Sequence, residues 1–349
     1  MFQTTKKIAI PGRAPKASVL MSVYNGAKYL REAIDSILNQ TYPDFEFIII
    51  NDRSTDNTEE IIKSYRDPRV RLINNEKKIG IGDTLNRGLE LAQGEYIARM
   101  DADDVSLPGR LSAQVKFMDR NPDLGASGTW VRVIGGEKTF VWKYQTQPDR
   151  VKAAMLFHCH MAHPSVILRH QLIIQHSLAY SADEVTEDFG LWSRAVKYLK
   201  IANLGQVLLL YRVHGDNRSS VLKEKVEVCA DQILGRELNY LGITPTKEEL
   251  IVHKYIARFD APKTEEFIAK AGEWLSKLLA ANRANHFYSD SALSFMVGYF
   301  WYSLLVRNLS FGKFVFNQFK NSPVSANIPA GKKIKFLLKY FARQRAPNT

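Results

Sequence analysis

Short apolar runs alternate with segments of helical spacing from residue 18 to about residue 211. Phe45–Ile50 is a largely apolar run of the kind that is buried on both faces of a sheet. In the segment before it, the apolar residues fall on one helical face: Tyr29, Leu30, Ala33, Ile34, Ile37 and Leu38. Because parallel strands need crossover helices, this alternation predicts an α/β protein with a mostly parallel sheet flanked by helices.

The same reading places strands near 19–23, 45–50, 70–73, 96–100, 127–134, 165–169 and 207–213. Helices are predicted around 110–118 and 188–198, and another ends near Ala92, with Gly94 in the position of a C-terminal cap. From Ser219 onward helical patterns dominate. We therefore expect an N-terminal extension (1–17), a sheet-containing domain (18–218) and a mainly helical C-terminal region (219–349).

The predicted strand Tyr96–Met100 runs directly into Asp101, Asp103 and Asp104. If the backbone stays extended, Asp101 and Asp103 lie on one side and Asp104 points away. Two carboxylates on one side suit Mg²⁺ or Mn²⁺ carrying a diphosphate. The other interpretation is an acidic turn before a helix that starts at Pro108, with Asp104 or Ser106 as its cap. Both remain open at this point.

Polar loops follow three of the predicted strands. Tyr24, Asp52 and Asp101 each lie just beyond the C-terminal end of a strand. In open α/β sheets ligands bind at that edge. We therefore expect the three loops to converge on one site.

Positive charge is concentrated at the C-terminal end of the chain. Residues 311–349 contain no Asp or Glu and eight basic residues, which account for +8 of the net charge of +12 and leave +4 for the other 310 residues. Those eight are Lys313, Lys320, Lys332, Lys333, Lys335, Lys339, Arg343 and Arg345. Charge confined to one segment favours a local anionic partner, such as a membrane surface, over a basic groove across the fold.

Two C-terminal segments bear on membranes. The uncharged segment from Ser291 to Val306 is shorter than the roughly 20 residues that span a bilayer, and predicts a buried or interfacial helix. In the stretch from Lys332 to Arg345, helical spacing places apolar residues on one face: Ile334, Leu337, Leu338 and Phe341. That face either packs on the protein or lies on anionic lipid; the crowded cations favour lipid.

Cysteine usage and the N-terminus predict the compartment. Cys159 and Cys229 are the only cysteines, so no disulfide framework is expected. Residues 1–17 lack the apolar stretch of a signal peptide. We expect a cytoplasmic protein, peripheral at the inner face of the cell membrane.

Several motifs occur in an order that resembles glycosyltransferase family 2. They run from Ser18–Asn25 and Ile50–Asp56 through Gly80–Gly82, Leu85–Gly88 and Ala92–Ile97 to the acidic cluster, and then to His163–Ser165, Thr186–Asp188 and Tyr211–His214. Each motif is weak alone, and the ordered set is specific. The resemblance covers about residues 18–219 and implies a nucleotide-binding GT-A fold and an inverting, metal-dependent glycosyltransferase of the hexosyltransferase type.

The resemblance also implies roles for particular residues. Tyr24 and Asp52 would hold the nucleotide base, with Asp52 accepting a hydrogen bond from a uracil N–H. Asp101 would lie near the ribose or a metal-bound water, and Asp103 would bind Mn²⁺ or Mg²⁺ with Asp101 as its partner.

Downstream, Asp188 would be the general base, because a carboxylate must take the proton of the attacking hydroxyl. Arg212 would close over the diphosphate, and His214 is a further candidate metal ligand. The expected donor is a nucleotide sugar, with a UDP-sugar favoured. The expected acceptor is a glycan or a lipid-linked oligosaccharide, and Trp192, four residues after Asp188, is the tryptophan expected to contact it.

This sequence departs from the family pattern at Asn51, Arg53 and Gly109. A positive φ at Arg53 would imply strain or a different turn. Two other functions remain as alternatives. One is a nucleotide-sugar-binding module without turnover, and the other is a basic nucleic-acid-binding protein, against which the confinement of positive charge to the tail counts.

Overall fold

The computed structural model describes residues 13–215, 217 and 221–345, and the side chain of the last residue is left out. The chain divides into two compact units, which comprise the described residues of Met1–Pro148 with Cys159–Cys229, and of Asp149–His158 with Ala230–Thr349. The N-terminal extension predicted for residues 1–17 falls, up to residue 12, outside the described part. The domain boundary near residue 218 stays a prediction.

The first unit contains a nine-stranded mixed sheet in the order β3-β2-β1-β4-β8-β6-β9-β5, with β7 paired to β6. Its strands are β1 (Ala17–Val23), β2 (Phe45–Asn51), β3 (Val70–Asn74), β4 (Tyr96–Met100), β5 (Val105–Ser106), β6 (Leu124–Ile134), β7 (Phe140–Trp142), β8 (Ile167–Arg169) and β9 (Lys200–Arg212). Parallel pairing joins β1 to β2 and β4, β2 to β3, and β6 to β9. The predicted fold class, a mixed and mostly parallel sheet flanked by helices, is confirmed.

The helices of this unit are α1 (Ala27–Leu38), α2 (Thr58–Lys63), α3 (Ile81–Leu91), α4 (Arg110–Arg120), α6 (His170–Gln175) and α7 (Glu187–Ala195). Helix α5 (Pro148–Met155) belongs to the second unit except for its first residue. The apolar face of α1 is buried as its spacing predicts. Every residue of β2 is buried. Because β1 lies between β2 and β4, the loops after Val23, Asn51 and Met100 meet at one edge of the sheet.

Strand β9 begins at Lys200, seven residues before the predicted start. The reason is an irregular pairing with β6, in which Thr129 faces Leu204 and the next residue, Trp130, faces Val207. Gly205 and Gln206 are therefore extra residues in the strand, and both are exposed. A bulge of this kind interrupts the apolar pattern on which the prediction depended.

Gly94 was predicted to cap a helix and does not. Helix α3 ends at Leu91, and the residue that follows, Ala92, has an extended backbone. A Cβ atom on Gly94 would lie 2.5 Å from the Ser18 nitrogen and 2.6 Å from the Ala17 carbonyl carbon. Glycine is required here because the turn before β4 passes directly against the backbone of β1.

The second unit is helical. It contains the part of α8 (Lys223–Tyr240) from Ala230 onward, α9 (Lys247–Arg258), α10 (Glu265–Asn285), α11 (Asp290–Arg307), α12 (Lys313–Asn321) and α13 (Ala330–Arg345), and short 3-10 turns at Leu309–Phe311 and Pro323–Asn327. Within the described residues, no helix has both the length and the apolar character needed to cross a membrane.

Helix α11 forms the centre of this unit. Its buried residues include Leu293, Met296 and Trp301, so the uncharged segment belongs to the protein core and is not interfacial. A Cβ atom on Gly298 would lie 1.9 Å from the Asn327 carbonyl oxygen. The absence of a side chain at residue 298 therefore lets the turn Pro323–Asn327 pack directly on the helix.

His253 connects three segments of the second unit. Its Nε2 donates to the Leu156 carbonyl oxygen at 2.7 Å, and its Nδ1 accepts from the Trp274 indole N–H at 3.0 Å. The ring stacks on Phe157 at 5.1 Å. The imidazole is fully buried, and this burial lowers the pKa of His253 to about 4. It is thus held neutral by two hydrogen bonds that an apolar ring cannot make.

Replacing His253 with Phe should lower the free energy of unfolding by about 2–4 kcal/mol at neutral pH, because a buried N–H and a buried carbonyl lose their partner. The deficit should shrink as the pH falls from 6.5 towards 4. In that range the unfolded wild-type chain takes up a proton that the folded His253 does not, so wild-type stability declines. Urea unfolding at several pH values measures both effects. The partly exposed His176, replaced in the same way, is the matched control; an equal loss there would contradict this account.

Candidate active site

Three carboxylates cluster where β4 ends. One oxygen from each of Asp101, Asp103 and Asp104 lies within 4.8 Å of the others. The backbone turns at Ala102 and Asp103 and does not continue extended. The expectation that Asp104 points away is therefore wrong, because the alternation of side chains on which it depended ends with the strand.

Two buried arginines lie beneath this cluster. Arg99 forms an ion pair with Asp101, Nη1 to Oδ1, at 2.5 Å. Arg110 is fully buried, and its Nη2 donates to the Arg99 carbonyl oxygen at 2.6 Å. Burial lowers the pKa of Arg110 to about 9. The cationic side chains offset part of the negative charge of the cluster.

The cluster has the chemistry of a divalent-cation site. Burial and the neighbouring Asp101 raise the pKa of Asp103, and the same two causes raise the pKa of Asp104 much further. Asp104 Oδ2 is buried, and no described residue offers it a hydrogen bond. Crowded carboxylates with an unpaired buried oxygen form a hard-oxygen donor set that Mg²⁺ or Mn²⁺ would fit.

The chain beyond β9 lies against this cluster. The Arg212 backbone N–H donates to Asp104 Oδ1 at 2.8 Å. His214 Nε2 lies 3.0 Å from Asp103 Oδ2, and Asn217 Nδ2 donates to the same oxygen at 3.2 Å. Residues more than a hundred positions apart in sequence thus share one polar network. His214 is brought to the cluster, as its predicted role requires.

The Arg212 guanidinium is held by helix α1. Its Nη2 donates to Glu32 Oε2 at 2.6 Å, and its Nε donates to the Asp103 carbonyl oxygen at 2.8 Å. The Tyr29 ring lies 4.6 Å from the guanidinium carbon and 5.0 Å from the His214 ring. Helix α1 therefore positions both basic side chains next to the carboxylates.

Asp188 lies in a cavity of about 350 Å³ that also contains the carboxylate cluster. Among the residues that line it are Asp101, Asp103, Asp104, Trp142, Tyr144, His163, Glu187, Asp188, Tyr211, Arg212 and Asn217. Burial, and then the charge of Glu187, raise the pKa of Asp188 to about 7. Asp188 Oδ1 also accepts from the Phe189 N–H at 2.7 Å, so the carboxylate satisfies a backbone donor in the first turn of α7.

The predicted base-binding residue Asp52 is buried and already well satisfied. Its Oδ1 accepts from the Ile79 N–H at 2.9 Å and from Asn75 Nδ2 at 2.8 Å, and its Oδ2 accepts from the Gly80 N–H at 2.9 Å. These bonds fix the loop that leads into α3. Asp52 thus holds the loop between β3 and α3 in place, and its contact with a nucleotide base stays a prediction.

Two of the three departures from the family pattern, Asn51 and Arg53, lie at the end of β2 and in the loop after it; nothing in the structure explains the third, Gly109. Arg53 has a φ of 63°, the positive value at which a non-glycine residue is strained. Asn51 Oδ1 accepts from the Ser54 N–H at 3.0 Å, so asparagine closes this turn as an aspartate would. Asn25, with a φ of 51°, accepts from the Thr55 N–H at 2.8 Å. These bonds hold the loops after β1 and β2 together.

Tyr24 is 42% exposed at the end of β1, with the Lys78 ammonium 3.5 Å from its ring centroid. Neither Tyr24 nor Asp52 is among the described residues that line the cavity with Asp188. The structure thus brings Asp101, Asp103, Asp188, Arg212 and His214 together and places the two base-binding candidates along a neighbouring part of the sheet edge. Their separate roles stay predictions.

Trp192 was expected to contact an acceptor and cannot. Its side chain is fully buried, in ring contact with His163 at 6.0 Å. Spacing of four residues on a helix places Trp192 on the face of Asp188 but does not say whether that face is open. The sequence interpretation also missed Arg99, Trp142 and Asn217. A charged residue inside an apolar strand was the available signal for Arg99, and neither of the others had one.

Solved structures of nucleotide-sugar enzymes share this fold. S. aureus TarS 1-349 in complex with UDP-GlcNAc matches with a TM-score of 0.55 and 19% identity, over 87% of this chain and 91% of that one. The mannosyltransferase PcManGT from Pyrobaculum calidifontis, in complex with GDP-Man and Mn²⁺, matches with a TM-score of 0.51 and 17% identity, over 98% and 92%. The fold is of the GT-A type, as expected.

Sequence comparisons identify the family. An uncharacterized glycosyltransferase of Haemophilus influenzae is 33% identical over 241 residues, which is 65% of this chain and 74% of that protein. The O-antigen biosynthesis glycosyltransferase WbnJ of Escherichia coli is 36% identical over 236 residues, 65% and 91% of the two chains. Residues 18–177 match the model of glycosyl transferase family 2. The chain belongs to this family.

Proposed function

We propose that this glycosyltransferase moves a hexosyl group from a nucleoside diphosphate donor to a hydroxyl of a glycan or lipid-linked oligosaccharide, with inversion at the anomeric carbon. The observation that carries the proposal is the cavity in which Asp188, with its raised pKa, faces the same space as the carboxylate cluster. A base and a site for the departing diphosphate are the two groups that a single displacement needs.

Asp188 is suited to act as the general base. With a pKa of about 7 it is a stronger proton acceptor than an ordinary carboxylate, and a substantial fraction of it is ionised at neutral pH. Its hydrogen bond from the Phe189 N–H fixes one oxygen and leaves the other to receive a proton. Direct attack by the acceptor hydroxyl on the face opposite the diphosphate inverts the anomeric centre.

The carboxylate cluster would hold Mn²⁺ or Mg²⁺ through Asp103 and Asp101, with Asp104 and His214 as further candidates. When bound, such a cation neutralises the charge that develops on the departing diphosphate. PcManGT, which has the same fold, was solved with GDP-Man and Mn²⁺, and this supports a metal here. Arg212 would add a second positive charge beside the diphosphate.

The donor and acceptor classes have separate support. TarS, solved with UDP-GlcNAc, supports a UDP-sugar, for which Tyr24 would stack on the base and Asp52 would shape the base pocket. Because PcManGT binds GDP-Man, a donor panel should contain both nucleotides. WbnJ is named for O-antigen biosynthesis, which supports a glycan acceptor.

The C-terminal helix α13 supports a peripheral contact with anionic lipid. Its two apolar faces differ: Phe336 and Tyr340 are buried in the second unit, whereas Ile334, Leu338 and Phe341 are 61%, 67% and 52% exposed. The latter three recur at helical spacing on one side. Leu337, assigned to the same face from the sequence, packs partly against the core.

Cations surround this exposed face. Burial, and next repulsion from the positive charges of Lys335 and Lys339, lower the pKa of Lys332. An anionic headgroup layer would relieve that repulsion while the exposed apolar face enters the interface. The helix packs on the protein through one face and, in this proposal, contacts lipid through the exposed one, so the two interpretations are compatible.

Replacing Asp188 with Asn should lower kcat by about a hundredfold or more, because the amide keeps the acceptor for the Phe189 N–H but cannot take a proton. Donor affinity should be unchanged. In the wild type, kcat/KM should fall as the pH drops below about 7, where Asp188 becomes protonated. A panel of UDP- and GDP-sugars with Mn²⁺ or Mg²⁺, scored for slow donor hydrolysis and for transfer, measures turnover. An unchanged kcat in the Asn variant would mean that Asp188 is not the base and only accepts the Phe189 N–H in the first turn of α7.

Replacing Asp103 with Ala should weaken Mn²⁺ binding by at least about tenfold, because a hard-oxygen ligand is lost. Thermal stability without metal should be maintained, since the removal relieves repulsion from Asp101. Electron paramagnetic resonance titration of Mn²⁺ in the presence of UDP measures the affinity. Asp123, which pairs with Lys200 on the surface, gives the matched Asp→Ala control. Equal Mn²⁺ affinity in both variants, or full activity with a chelator present, would rule out the metal role.

Replacing Leu338 with Glu should reduce binding to vesicles that contain phosphatidylglycerol by about tenfold, since a charge enters the apolar face. Wild-type binding should weaken with added salt and be small on neutral phosphatidylcholine vesicles. Co-sedimentation measures each. Ile251, 49% exposed on α9, gives the matched Glu variant in the same unit. An equal loss for Ile251→Glu, or equal binding to neutral and anionic vesicles, would contradict the proposal.

A further inference from the structure

Two large aromatic side chains are exposed on strand β7. Phe140 is 47% exposed and Trp142 is 38% exposed. β7 pairs with β6 through Phe140 opposite Val133 and Trp142 opposite Val131. Because side chains alternate along a strand, the two rings share one face of β7 while Val141 occupies the other.

The two rings belong to a continuous aromatic surface that enters the cavity. Phe140 and Trp142 contact edge to face, with centroids 5.8 Å apart, and the Trp142 ring lies 5.2 Å from that of Tyr211. Tyr211 precedes Arg212 at the end of β9. Trp142 and Tyr211 line the same cavity as Asp188, whereas Phe140 is not among its described lining residues. The surface therefore runs from the general base outward to solvent.

The position of these rings separates them from the nucleotide loops. β7 pairs with β6, and β8 and β4 lie between β6 and β1, at whose end Tyr24 is found. A nucleotide base held by the loops after β1 and β2 would therefore lie on the other side of the carboxylate cluster from Trp142. A ligand on the β7 rings would therefore reach Asp188 from the side away from the nucleotide, which is where the acceptor has to bind.

The chemistry of the rings indicates what that ligand is. Indole and phenyl faces carry a partial negative charge and attract weakly positive C–H groups. The flat face of a pyranose presents such C–H groups, while its hydroxyls stay at the edge, in water. Exposing two large aromatic rings side by side at a cavity mouth is unfavourable without a ligand that covers them.

We infer that Phe140 and Trp142 form a platform on which the acceptor glycan stacks. This inference rests on the proposed function. Trp142 contacts the sugar ring next to the attacking hydroxyl, because it lines the cavity with Asp188. Phe140 contacts a sugar further along the chain, because it lies outside the cavity. Tyr211 continues the platform inward, where burial raises its pKa and keeps the phenol neutral.

The test compares acceptors of different length in the full-length enzyme with Mn²⁺ and the donor that the panel identifies. The probes are methyl glycosides and short linear oligosaccharides of glucose, galactose and N-acetylglucosamine. Trp142→Ala should raise the acceptor KM by about tenfold for every accepted probe, since one stacking contact is lost. Phe140→Ala should raise it only for the oligosaccharides. Trp142→Phe should restore part of the affinity.

Three readouts separate this platform from a general defect. Tyr198, 62% exposed and outside the described lining of the cavity, gives the matched Tyr→Ala control and should leave transfer unchanged. Hydrolysis of the donor without acceptor reports on the donor site, so an acceptor defect appears only when acceptor is present. In protein labelled with 5-fluorotryptophan, the Trp142 fluorine resonance should shift when a probe glycan is added.

The possible outcomes are distinguishable. If the wild type hydrolyses none of the nucleotide sugars, the proposed function fails, and the fluorine spectrum still tests whether a glycan binds at Trp142. An unchanged acceptor KM in Trp142→Ala overturns the platform, as does a fluorine spectrum that no probe glycan shifts. A fall in donor hydrolysis equal to the fall in transfer also overturns it, because Trp142 would then act on the donor.

Discussion

Mutual repulsion of three carboxylates at the end of β4 is the constraint on which the rest of the site depends. Asp101, Asp103 and Asp104 lie within 4.8 Å of one another, and Asp104 is almost fully buried. Such a group is unfavourable unless positive charge or hydrogen-bond donors surround it. Arg99 forms an ion pair with Asp101, the Arg212 N–H donates a hydrogen bond to Asp104, and the Asn217 side chain donates one to Asp103. Three parts of the chain are thereby brought to one place.

Sheet topology makes this arrangement possible. β5 pairs antiparallel with β9, so Asp104, just before β5, comes next to Arg212 at the end of β9. The parallel pairing of β1 with β4 brings the loop after β1 to the same edge. Buried hydrogen bonds then fix each loop, which means that the site is held largely by backbone and carboxylate contacts within the first unit.

The sequence predicted the parts of the site that follow strand ends. Asp101 and Asp103 were identified because a polar loop that follows an apolar strand lies at the ligand-binding edge of an α/β sheet. Asp188 lies at the start of a helix, and only the family resemblance identified it. The geometry of Asp104 was missed because a two-residue turn does not show in the spacing of apolar residues. The contact of Arg212 with Glu32 joins residues 180 positions apart, and no local pattern encodes such a pair.

Tryptophans illustrate the same limit. Trp192 and Trp142 are alike in sequence terms, yet one is fully buried and the other lines the cavity. Burial depends on which elements pack above a side chain, and periodicity describes only the element to which it belongs. Gly94 is a similar case, since a glycine after a helix predicts a cap, whereas the close passage of β1 that requires it is a tertiary contact.

Asp188 and the carboxylate cluster line one cavity, but different neighbouring charges shift their pKa values. Burial is the largest cause of the raised pKa of Asp188, and Glu187, its neighbour on α7, comes next. Asp101 contributes less, and Arg99 acts in the opposite direction. The two contributions from the cluster side therefore oppose each other. The pKa of Asp188 therefore depends first on its burial and on Glu187, and less on the charges of Asp101 and Arg99.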